Sequence, residues 1–132
     1  MIGNNNCLNI RSSKSFKWLG QTGATRGFCD FESIDYCIRA GAYLIMRSYR
    51  RAGCRTLDQI IRRWAPPSEN DTTNYIYFVC SHSSLKRSDE IDTVQKVARL
   101  LSLMQIMEVG NLYRRSEKIE EIIDHFKLHF IV

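Results

Sequence analysis

Long hydrophobic runs are missing from this chain. No stretch approaches the roughly 18–20 apolar residues that a membrane span needs, which excludes a membrane-spanning helix. Cysteine is present without a framework: Cys7, Cys29, Cys37, Cys54 and Cys80 are odd in number and show no CxxC spacing. That argues against both a disulfide scaffold and a zinc ribbon. His82, His125 and His129 do not fall at metal-ligand spacing from the cysteines, and no H-E-x-x-H pattern backs the His125/His129 pair. No metal and no cofactor are expected. The opening Met1-Ile2-Gly3-Asn4-Asn5-Asn6 has neither a basic start nor an apolar core, so no signal peptide is expected and synthesis is placed in the cytoplasm. Proline is scarce, and both copies, Pro66 and Pro67, stand side by side. Internal repeats and low-complexity tracts are absent as well.

What remains is ordinary for a globular protein. A chain of 132 residues with 44% apolar and 25% charged positions is read as one domain over residues 1–132, large enough for a real core. The charge is uneven: the net +5 concentrates in the first half, where Arg39, Arg47, Arg50, Arg51, Arg55, Arg62 and Arg63 crowd together. A basic front half suggests an anionic partner, a nucleic acid or a cell-envelope polymer. The plain alternative is a set of solvated helix faces.

The chain is organised around Trp64-Ala65-Pro66-Pro67-Ser68-Glu69-Asn70-Asp71-Thr72-Thr73-Asn74-Tyr75. The proline pair stops a helix arriving from upstream, since each ring fixes φ and removes a backbone donor. Asn70 or Asp71 is then placed to cap a new helix. Glu69 thus sits in a stiff loop between two helices, either as a reactive carboxyl or as a complement to a helix N-terminus.

Around this loop the periodicity predicts a hairpin and about five helices. Strand-like pieces at residues 16–19 and 27–31 flank a Gly20–Gly27 loop. Ser33 looks like a cap for a helix of about 34–52 with Ile34, Ile38, Ala42, Ile45 and Tyr49 on one face and Gly53 at its end. Thr56 and Gln59 form a capping box for a helix of 57–65. A helix of 72–82 follows the prolines. Residues 81–132 are read as a polar linker and a C-terminal helical hairpin: a stripe of Ile91, Val94, Val97, Ala98, Leu101, Met104 and Met107 stopped by Gly110, then a helix capped by Ser116. The fold class is mainly α, in the α+β sense, with a small β-hairpin packed on the helices.

Several of these segments resemble one family. Asn4-Asn5-Asn6 with Asn9-Ile10-Arg11, Trp18 and Gly20, Phe28 and Phe31, Ile38-Arg39-Ala40, Tyr49, Thr56, Arg63-Trp64-Ala65-Pro66-Pro67 and Glu69-Asn70-Asp71-Thr72 with Tyr75 are similar to small phage and prophage virion structural proteins of gut Bacteroidetes. The likeness covers about residues 3–80. Cys7 stands where that family has proline, and Cys37 where it has glycine. A fainter similarity leads to lysozyme-like peptidoglycan hydrolases, the glucosaminidases above all. It implies a lysozyme-like fold with the hairpin beside a saccharide groove and Tyr75 on its wall. Those enzymes carry their catalytic glutamate on a helix ahead of the hairpin, and no such helix precedes the hairpin here.

The resemblance therefore implies a phage-associated protein that binds peptidoglycan or another cell-wall glycan, as a non-catalytic virion component with other virion proteins as possible partners, reaching the outside by lysis or in a particle. The alternative is a peptidoglycan glycosidase of muramidase or glucosaminidase type. Such chemistry needs a carboxyl group kept protonated near neutral pH. Glu69 is the expected acid, with Glu32, Asp30 or Asp71 as a second carboxylate. Asn5, Asn9, Trp18, Trp64, Tyr75 and Arg39 are the expected substrate contacts. Non-specific nucleic-acid binding through the arginines ranks behind both, because no nucleic-acid motif accompanies them.

Overall fold

Arg26 and Gly27 both take positive φ, 49° and 84°, the pairing that a tight two-residue hairpin turn requires. They join β1 (Gln21–Thr25) to β2 (Phe28–Phe31) in an antiparallel ladder running from Gln21↔Phe31 to Thr25↔Phe28. The segment expected to be a loop is thus the first strand, and residues 16–19 lie outside the sheet. The reason is local. The turn residues sit at the end of the Gly20–Gly27 stretch, so its Gln, Thr and Gly residues form a two-stranded ribbon open to solvent on one face. All 132 residues are described in this computed structural model.

From Ser33 the chain enters one long rod: α1 (Ile34–Tyr43), a π-helical turn (Leu44–Ser48) and α2 (Tyr49–Arg51). Ser33 occupies the capping position but makes no side-chain cap bond. Ile34, Ile38, Ala42 and Ile45 are buried as the periodicity predicts. The π turn is not visible in that periodicity. With bonds to the fifth residue on, it brings positions five apart onto nearly one face, and so Leu44 and Tyr49 look the same way. The carbonyl of Met46 accepts from Ile131 N–H at 3.1 Å, tying the C-terminal segment to this turn. Gly53, at φ 84°, follows the rod's end.

Next come α3 (Leu57–Trp64), with the capping box of Thr56 and Gln59 fully formed, and α4 (Thr72–Ser81), capped by Asp71, whose side chain accepts from Asn74 N–H. The proline loop between them is braced from within: Asn70 Nδ2 donates to Pro66 O, Glu69 N–H to the same carbonyl, and buried Thr72 donates to Ala65 O. α5 (Val94–Val109) ends at Gly110 in the left-handed region, φ 71°. α6 (Ser116–His125) starts one residue earlier than expected, because Arg115 takes the extended capping conformation and Ser116 is the first helical residue. Fully buried Gln105 fixes the intervening turn. Its Oε1 accepts from the N–H groups of Tyr113 and Arg114, and its Nε2 donates to Arg114 O.

One cluster of 31 buried apolar residues draws on the N-terminal segment, β2, α1, the π turn and α3 to α6, with α1 and α5 through its middle. Gly41 is where they meet: a Cβ there would lie 2.5 Å from Leu8 and 3.1 Å from Leu101. The N-terminal segment enters this core through Asn6, which is wholly buried. Its amide donates to Ile10 O and Cys29 O, each at 2.9 Å, and its Oδ1 accepts from Ile10 N–H at 2.8 Å. Cys7 and Cys37 are neighbours: their Sγ atoms lie 3.8 Å apart in the core, so that two thiols fill one space. Burial pushes the Cys37 thiol well above its ordinary value, a Cys7 contact adding to the effect. Cys7, Cys29 and Cys37 are buried while Cys54 and Cys80 are half-exposed. Titration of the native protein with a thiol reagent should therefore modify Cys54 and Cys80 and spare the other three until the chain unfolds. Native-state reaction of all five would contradict this core.

Candidate functional site

Between the hairpin side and the proline loop runs a groove of about 460 Å³. One wall is Phe16, Trp18 and Phe28. Phe16 packs edge-on against Trp18 at 4.7 Å, and Arg11 lies over Phe28 at 5.0 Å. The other is Trp64, Ala65, Glu69 and Asn70, with Leu44 and Tyr49 contributed by the π turn and the residue after it. Tyr49 meets Trp64 edge-on at 6.3 Å, and Arg63 covers its ring at 5.5 Å. Burial pushes the Tyr49 hydroxyl to about 12, so it stays neutral, despite the opposing pull of Arg63.

A carboxyl group stands in this groove that the sequence reading gave no role. Glu108 is in the last turn of α5. Its Oε2 accepts from Tyr75 OH at 3.0 Å and Trp64 Nε1 at 3.2 Å. Asn9, held at φ 50° in the left-handed region, donates from Nδ2 to the Glu108 carbonyl at 2.9 Å. Burial raises the Glu108 carboxyl above the usual carboxylate range; donors from Tyr75, Trp64 and Asn9 and the charge of Arg11 hold that rise back without cancelling it. Its place at the helix C-terminus, the negative end of the helix dipole, acts in the same direction as burial. With Oε2 already accepting two bonds, Oε1 is the oxygen left to carry the acid proton. Tyr75, buried behind it, is itself raised, first by burial and then by the Glu108 charge, and so remains a donor.

The signal for Glu108 was in the sequence. It lies seven residues after Leu101 and four after Met104, so a carboxylate continues the buried stripe of α5. An acid on an apolar face is either an error of reading or a site.

The expected residues fall in different places. Trp18, Asn9, Trp64 and Glu69 line the groove, Glu69 on its exposed rim. Tyr75 touches the site from behind, through Glu108. Phe31 is a core residue, only 2% exposed. Glu32 lines a separate hollow with Met1, Ile2, Asn5 and Thr22, and Asn5 Nδ2 there donates to Phe31 O at 3.0 Å. Asp30 is engaged by Asn4 N–H and Thr25 OH, and Asp71 by its capping bond. Arg39 lies outside the groove, stacked on Tyr43 and Phe126.

The raised Glu108 carboxyl has a consequence for stability. A carboxyl whose folded value exceeds its unfolded one binds its proton more tightly in the native state, so its contribution is full below the ordinary carboxylate value and is lost as pH rises through the folded value. Stability measured by denaturant should therefore fall with rising pH above about 4.5, the ordinary carboxylate value. Glu108→Gln should flatten that slope. An identical slope in the variant would place the titrating group elsewhere.

No family model matches the chain. It is 31% identical over 120 residues to protein P5 of Pseudoalteromonas phage PM2, a match that covers 88% of this chain and 75% of that protein. The chain belongs to the family of this phage protein. It is thus a phage-associated protein, which agrees with the phage side of the resemblance read from residues 3–80. No helix is long and apolar enough to cross a membrane.

Proposed function

We propose that this protein is a component of the phage particle that seats bacterial cell-wall glycan in the groove and cleaves its glycosidic bond, with Glu108 as the general acid. The half-buried, raised carboxyl of Glu108 between two aromatic walls is the observation that carries this reading. A groove of about 460 Å³ is the size of a ligand site rather than a surface dimple. Rings such as Trp18 and Trp64 offer flat apolar faces to a sugar. The family supports the phage half of the proposal, and other particle proteins are its natural neighbours.

The reaction needs little else. Glu108 passes its Oε1 proton to the glycosidic oxygen as the bond from that oxygen to the anomeric carbon breaks. Water adds to the resulting oxocarbenium-like carbon and gives up a proton, which restores the Glu108 acid. Glu69, on the rim of the same groove, is the carboxylate to orient that water; Glu32 and Asp71 have no part. In this reading the lysozyme-like likeness is one of role: the acid arrives on a helix after the hairpin rather than before it.

The experiment is release of soluble muropeptides from purified peptidoglycan, read beside retention of the protein on the insoluble material. Release by the wild type, lost in Glu108→Gln with retention kept, is the expected result. Retention without release in either would leave a non-catalytic holder of the wall. Neither retention nor release would overturn the glycan reading.

A further inference from the structure

We infer that Arg39, Arg47 and Arg50 form a second subsite, for the acidic groups of the same polymer whose glycan strand lies in the groove. The inference rests on the glycan reading and names the substrate more closely as an acid-bearing wall polymer. Its first support is continuity. Trp18 lines the groove and also meets Tyr43 edge-on at 5.8 Å. The guanidinium groups of Arg39 and Arg47 lie over that same Tyr43 ring, at 5.6 and 5.8 Å. Arg50 continues the row over Phe130 at 5.1 Å. The row runs along the rod for about 16 Å, taking the rise of an α-helix, and starts at the groove wall.

The second support is charge. Five ion pairs form in the protein, and their cations are Arg62, Arg87, Lys96, Arg114 and Lys118. None of the three arginines of the row is among them. Asp92 lies near enough to feel Arg50, yet its carboxylate is bound by Lys96 at 3.0 Å. Third, the row is held in place beforehand. Arg47 Nη1 donates to His129 O at 3.1 Å and Arg50 Nη1 to Ile91 O at 3.3 Å, while Arg39 is stacked on both Tyr43 and Phe126. The Nε atoms of Arg39 and Arg50 are buried without a partner. Guanidinium groups fixed by rings and carbonyls keep their remaining donors for a planar anion and lose little freedom on binding it. Nucleic acid is the less favoured occupant, because the row leads into a groove with the carboxylate of Glu69 on its rim, which would repel a phosphate backbone.

The test compares wild type with the triple variant Arg39→Gln, Arg47→Gln, Arg50→Gln, and with the corresponding triple lysine variant. Two probes are used: purified sacculi in a salt series, and a neutral N-acetylglucosamine oligosaccharide. The glutamine variant should bind sacculi at least about tenfold more weakly and with less salt dependence, and should bind the oligosaccharide as wild type does. The lysine variant should recover part of the sacculus binding. Should the triple variants fail to fold, Arg47→Gln alone reports the same loss in smaller measure. Equal sacculus binding by wild type and glutamine variants overturns the subsite while leaving the groove reading intact. Sacculus binding lost with the arginines, but no oligosaccharide binding even in wild type, supports the row and faults the groove. Tighter binding of wild type to duplex DNA than to sacculi overturns the inference.

Discussion

Replacing Glu108 by glutamine should reduce muropeptide release by about 10²–10⁴-fold, the range that loss of a general acid commonly costs. Glutamine keeps the volume of the side chain and an oxygen to accept from Tyr75 and Trp64, but it has no proton to deliver. The melting temperature at neutral pH should be unchanged or slightly raised, because the neutral amide keeps the acceptor bonds and is free of the burial cost that falls on the ionised carboxyl. That pairing separates chemistry from structure: a variant that loses activity by unfolding would melt earlier. Wild-type release should also fall as pH rises through the Glu108 value, and no residual activity in the glutamine variant should follow that limb. Full activity in Glu108→Gln would remove the proposed acid. Glu69→Gln, at the exposed rim, should cost less, since it orients water and gives nothing to the leaving oxygen.

Asn6→Asp should be the most damaging conservative change in the chain, with an expected loss of about 3–5 kcal/mol of folding stability at neutral pH. The buried amide of Asn6 donates to two backbone carbonyls and accepts from Ile10 N–H and from the Cys37 thiol. An aspartate of the same shape leaves the Ile10 and Cys29 carbonyls without donors and sets a negative charge against both, with no cation beside it. Urea unfolding of the two proteins measures the difference, and Asn6→Ala, which leaves the same carbonyls unpaired but adds no charge, should fall between. A loss under 1 kcal/mol for the aspartate variant would mean that the N-terminal segment contributes little to the fold.

These two residues differ in how plainly the sequence announces them. Asn6 belongs to a triplet of asparagines in a turn-prone stretch, so its polarity reads as surface. It becomes a core residue only when the loop is folded against β2 and the start of α1, over twenty residues away. Glu108 carries a readable mark, its position on the apolar stripe of α5, but the stripe says only that it is buried. That it meets Trp64, Tyr75 and Asn9 depends on packing three segments from distant parts of the chain. The braced loop that carries Glu69 was legible because its constraint is local: two prolines before it and the bonds of Asn70 and Thr72 around it, while the Glu69 side chain itself is exposed.

The sequence by itself determined the elements and their ends wherever the physics is short-range. The capping box of Thr56 and Gln59, the stop at Pro66-Pro67, Asp71 as a cap, Gly53 and Gly110 past helix ends and the apolar stripe of α5 all follow from interactions within about four residues, the reach of one helical turn. Only the tertiary structure decided the rest. The π turn arises in a rod whose Met46 carbonyl bonds Ile131, 85 residues on, and it alone brings Leu44 and Tyr49 to the groove. The meeting of Cys7 with Cys37, the row of arginines on Tyr43 and Phe130, and the carboxyl of Glu108 between aromatic walls are long-range contacts. Periodicity fixes which face of an element is buried, and it carries no information about which neighbour buries it.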